Sequence, residues 1–101
     1  MKIVCLILIY FGSAIPAFAD QGMVVKEDIC GTGNTLIETT DGWYVVAEHD
    51  SGVYLHEGNV VFGILKTTGL QKITRSDGES GLFYIEEYGS EIDDVFEELC
   101  D

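Results

Sequence analysis

From Thr35 to Tyr88 the chain repeats one short phrase, a run of β-branched and aromatic residues followed by a glycine turn. The runs are Thr35 to Thr40, Trp43 to His49, Val53 to Glu57, Val60 to Thr67, Leu70 to Ser76 and Leu82 to Tyr88. The punctuation between them is Asp41-Gly42, Ser51-Gly52, Gly58-Asn59, Thr68-Gly69 and Asp77-Gly78-Glu79-Ser80-Gly81. Runs spaced about 8 to 12 residues apart with turn signals between them predict a mainly β fold, a small curled antiparallel sheet or partial barrel of about five to six strands. Asp41-Gly42 is the strongest hairpin signal, since a type I′ turn needs positive φ at both central residues. Gly63, inside the apolar run Val60 to Leu65, marks a bend where the sheet curls. That run is apolar on both faces, so one face belongs to the interior and the other lies under a covering element.

The covering element is expected at the end of the chain, which makes the fold α+β. Ser90 is a good N-cap, and Ile92, Val95, Phe96, Leu99 and Cys100 recur at helical spacing, predicting one amphipathic helix over residues 91 to 100. Its apolar stripe faces the sheet and carries Cys100 with it.

At the other end, Lys2 precedes an apolar run from Ile3 to Phe11 that is too short to span a bilayer of roughly 30 Å, and Ala17-Phe18-Ala19 offers a cleavage site. Residues 1–19 read as a cleaved signal peptide and 20–101 as a single small acidic domain. Export implies an oxidising compartment, periplasmic or secreted, in which Cys30 and Cys100 form one disulfide. Closing so long a loop removes about 4 kcal/mol of chain entropy from the unfolded state, a large stabilisation for so small a core.

Charge narrows the function. The chain holds 18 acidic and 5 basic residues, and every acid follows the cleavage point while Lys2 precedes it, leaving four cations and a net charge of −14 in the mature protein. Such a surface repels nucleic acid and anionic membranes, and no membrane insertion is expected after signal cleavage. Glu91, Asp94, Glu97 and Glu98 lie on the outer face of the expected helix beside Asp93 and Asp101, with Glu86 and Glu87 just before it. Asp93 with Glu97 and Asp94 with Glu98 are like-charge pairs one turn apart, each unfavourable by roughly 0.2–0.5 kcal/mol. Such a face either serves solubility, meets a cationic protein, or holds a divalent cation weakly. No Asp-rich calcium loop is present, and no metal site or cofactor is expected.

Catalysis is not expected. The sequence has no Gly-x-Ser-x-Gly elbow, and Glu86 and Glu87 point to opposite faces of a strand, where they cannot flank one bond. Gly31-Thr32-Gly33-Asn34 lacks the lysine of a phosphate cradle. If Ser51-Gly52 closes a two-residue hairpin, Ala47 pairs with His56 and His49 with Tyr54, which sets both histidines on one face beside Trp43, Val45 and Tyr54. That spacing is loose for a shared zinc; His49 and His56 suit a solvent-facing edge or an aromatic recognition patch with Trp43, Tyr44 and Tyr54, which are also ordinary sheet residues.

Ser51-Gly52-Val53-Tyr54 resembles the Ser-Gly-x-x-Tyr loop of the membrane-bound and periplasmic inhibitors of C-type lysozyme, with one residue fewer between Gly52 and Tyr54. The resemblance covers these four positions and implies a small β-barrel that inserts Ser51 and Tyr54 into the cleft of a cationic enzyme. The expectation is an exported non-enzymatic protein that engages or inhibits a cationic protein. The alternatives are a weak divalent-cation binder and a structural component of an envelope assembly.

Overall fold

The computed structural model describes residues 19–91, without the side chain of Cys30. Over that span the protein is a closed barrel of six antiparallel strands: β1 (Asp20–Lys26), β2 (Thr35–Thr39), β3 (Tyr44–Gly52), β4 (Val60–Gly63), β5 (Gly69–Arg75) and β6 (Ser80–Gly89). Around the barrel they run β1-β2-β3-β6-β5-β4, and β4 closes back on β1 with Met23 opposite Val60 and Gln21 opposite Phe62. Strands β1 to β3 form a meander, and β4 returns to the far side of β1, a Greek key; β4 to β6 repeat the pattern against β3. Closure leaves no strand with an unpaired edge.

The rhythm predicts this architecture, and the closure on β1 is the addition. Strand β1 precedes that rhythm, which begins at Thr35. Val53 to Glu57, expected as a strand, is an irregular loop, and Ser51-Gly52 is the end of β3 rather than a turn. Ser51 pairs with Leu82 and Gly52 with Gly81, so neither Ala47–His56 nor His49–Tyr54 is a strand pair. The Asp41-Gly42 hairpin forms with a different turn. Gly42 N–H donates to Thr39 O at 3.0 Å and Thr39 N–H to Trp43 O at 2.8 Å, closing a three-residue loop with Gly42 at φ 91. This is a type I turn followed by a left-handed glycine. Asp41 caps the turn instead, accepting from the Thr39 hydroxyl at 2.6 Å.

Alternation sends Val24, Ile37, Val45, Ala47, Val61, Ile73, Phe83 and Ile85 into the barrel, where Leu55 and Leu65 join them from the two loops flanking β4. A second small cluster lies outside the barrel. The 3-10 turn η1 (Ile29–Gly31) folds over β2 and β3, and Ile29 packs on Leu36 and Val46 with Tyr44 alongside. Strand β4 has one face inside, with Val61 fully buried, while Ile64 beyond it is exposed. The helix expected over residues 91 to 100 lies, apart from Glu91, outside the described residues, as do residues 1–18 and Cys100, the expected partner of Cys30. Among the described residues η1 is the helical element.

Candidate functional site

The two ends of the barrel are chemically different. At one end, Asp20 begins β1, the Thr40–Gly42 loop joins β2 to β3, and the chain leaving β4 brings in Lys66. Its ammonium sits 2.5 Å from Asp41, 3.7 Å from Asp20 and 5.2 Å from the centre of the Trp43 ring. The hydrogen bonds from Lys66 and Thr39 hold the Asp41 carboxyl below its ordinary range, and Asp41 raises Lys66 in return. Trp43 also meets Tyr88 with centroids 6.0 Å apart. Trp43 is thus half-buried under a paired cation.

At the other end the chain leaves β3 through Gly52, at φ 82, and crosses the start of β6. A Cβ on Gly52 would meet Gly81 Cα at 2.5 Å, and one on Gly81 would meet Ser51 O at 2.7 Å, so two facing glycines let the strands touch there. The loop of residues 53 to 59 then folds back over the barrel mouth. Leu55 turns inward and is buried, whereas Tyr54 turns outward and stays 63% exposed. The Tyr54 ring stacks on His49, centroids 4.0 Å apart at 16°, and His49 stands edge-on to Phe83. His49 Nε2 donates to Gly52 O at 3.0 Å, which defines the protonated ring nitrogen, since a carbonyl only accepts.

The loop is tied down on both sides of Tyr54. Arg75 donates to Tyr54 O at 3.1 Å while a two-pronged contact with Asp77 holds its guanidinium in place, at 2.7 and 3.3 Å. The Asp77 carboxyl is held low, first by Arg75 and then by the Glu79 N–H. Further along, Glu27 accepts from Glu57 N–H at 3.0 Å and from His56 Nδ1 at 3.4 Å, and these contacts lower its pKa in that order. Asn59 Oδ1 accepts from His56 N–H at 2.8 Å, and Gly58 N–H donates to Val24 O on β1 at 2.9 Å.

Of the residues singled out in the sequence, Ser51, Tyr54 and His56 therefore share this mouth. Trp43 lies at the opposite end of β3, and Val45 is buried in the core rather than facing outward with the histidines. His49 and Tyr54 do meet, through the loop and not through strand pairing. Glu91 is exposed just past β6; Asp94, Glu97 and Glu98 lie outside the described residues. Sequence reasoning missed Arg75 and Glu27, whose anchoring depends on strands far apart in the chain. Among the described residues, no group of three His, Cys, Asp or Glu side chains is placed to hold a metal ion. Comparison with family models, with curated proteins and with solved structures finds no match.

Proposed function

We propose that this is an exported, non-enzymatic protein that recognises a cationic protein, and inhibits it where the recognised surface is an active cleft. The observation that carries the reading is the exposed Tyr54, stacked on His49 and pinned through its own backbone by Arg75. An aromatic side chain presented on an ordered loop forfeits little conformational entropy on binding and makes a strong interface anchor. Ser51, His56 and Glu57 are exposed on the same stretch of chain and Glu27 is bonded to it, so the rim of the mouth is polar and carries two carboxylates. The net charge of −14 steers a basic partner toward that mouth.

The expected C-terminal helix fits the same reading. Strand β6 ends at Gly89 opposite Tyr44, and Tyr44 packs on the Ile29 cluster next to Cys30. A ten-residue helix spans about 15 Å, and on this reading a segment starting at Ser90 would bring Cys100 back to Cys30. Glu91, Asp94, Glu97 and Glu98 would then form an acidic flank beside the barrel.

Binding to a panel of cationic proteins that includes a C-type lysozyme tests the proposal. Capture should weaken with added salt and drop at least tenfold in Tyr54→Ala, and lysozyme turnover should fall as the protein is added in excess. Turnover that stays normal ends the inhibitor reading, and binding indifferent to Tyr54→Ala removes the mouth as the recognition site.

A further inference from the structure

The outer wall of β5 and β6 stands apart from the mouth. Leu70 faces out opposite Tyr84, and Lys72 faces out opposite Leu82; Leu70, Leu82 and Tyr84 are 52%, 38% and 48% exposed. On the other side of β6, Glu48 of β3 lies opposite Tyr84, with Glu86 two residues further along β6; the neighbouring Glu48 carboxyl raises the pKa of Glu86, and no described cation stands beside either. Lys72 likewise has no ion-pair partner among the described residues, whereas Lys66 and Arg75 are both paired. The wall is therefore an apolar centre with one uncompensated cation, Lys72, on its β5 flank, the Glu48 carboxylate on its β3 flank and Glu86 further along β6. With strands about 4.8 Å apart and residues about 3.3 Å apart along them, the two flanks lie on the order of 12 Å from each other, too far to neutralise one another directly.

We propose that this wall is a self-complementary interface at which a second copy of the chain docks through a two-fold axis near Leu82 and Tyr84. A two-fold rotation exchanges the flanks, so Lys72 of each copy meets the Glu48 and Glu86 carboxylates of the other while the apolar centres cover one another. One operation satisfies all three unmet features of the wall. An unrelated cationic protein would leave Lys72 facing like charge, and an acidic partner would add to the Glu48–Glu86 repulsion. The net negative charge opposes pairing at long range. At about 0.15 M salt the screening length is about 8 Å, so carboxylates far from the contact weigh little while the facing pairs persist. The patch is small for a permanent interface, and the pairing is weak and concentration-dependent.

Sedimentation of the full exported chain at roughly 0.5 mM, a concentration suited to a weak pairing, tests this. The wild type dimerises, Lys72→Glu and Glu48→Lys each lose the dimer, and the double variant recovers it, with circular dichroism checking that each variant is folded. A readout that needs no variant is carbodiimide coupling of mixed 14N- and 15N-labelled chains, which should join Lys72 to Glu48 or Glu86 between chains of different label. A wild type that stays monomeric, a dimer indifferent to Lys72→Glu, or a double variant that fails to recover overturns the proposal. Coupling confined to chains of one label overturns it as well.

Discussion

Glu86 and Gly81 show how single positions on β6 set local stability in opposite ways. The hydrogen bond from Glu48, then partial burial, raises the Glu86 pKa above the 4.5 of a free glutamate. A raised carboxyl holds its proton more tightly folded than unfolded, so the folded state binds more protons across that window and stability falls as pH rises through it. Glu86→Gln should therefore increase stability at neutral pH by on the order of 0.5 kcal/mol given its solvent screening, seen as a higher melting temperature. The gain should fade as pH falls through 4.5, below which Glu86 becomes protonated in the unfolded as well as the folded state. Gly81 is constrained by space. An added Cβ would lie 2.7 Å from Ser51 O and 2.8 Å from Val53 N, both backbone atoms that move only with their strand. Gly81→Ala should cost about 2 kcal/mol or more, read from denaturant midpoints.

The loop of residues 53 to 59 is the element on which the functional reading turns. Glu27 anchors it, and since its pKa is lowered by Glu57 N–H and then His56, the stabilisation is complete above the unfolded value of 4.5 and lost as pH falls through the folded one. The protection of the Glu57 and Gly58 amides against exchange, measured relative to the intrinsic rate at each pH, should fall on acidification, and Glu27→Ala should reproduce that loss of protection at neutral pH. This loop was also the element hardest to read from sequence. Tyr54 out, Leu55 in and His56 out is the alternation of a strand. What breaks the strand is the contact of Gly52 with Gly81, a meeting of residues far apart in the chain. The first strand escaped notice for a related reason. Only Val24 of Asp20 to Lys26 is a buried apolar side chain, and the rest of β1 is defined by its pairing to β2 and β4. Hairpins between neighbouring runs were legible because their turns are local, as at Asp41-Gly42 and Asp77-Gly78. Barrel closure and the anchoring of Tyr54 by Arg75 join distant segments and leave no local trace.

For the whole molecule, the barrel core is small, and the proposed Cys30–Cys100 bond contributes about 4 kcal/mol by shortening the unfolded chain's reach. Cys100→Ser should lower the unfolding free energy, read from denaturant titration, by about that amount, and the natively purified wild type should show no alkylatable thiol. Two reactive thiols in the native protein would remove the staple from the account. On the proposed reading, the mouth of the acidic barrel recognises a basic protein. The most direct measurement is parallel affinity capture from the native compartment on wild type and Tyr54→Ala, each verified as folded and eluted with rising salt. The account predicts a basic protein retained by the wild type, released by moderate salt and missing from the Tyr54→Ala eluate. Identical eluates from the two columns would contradict it.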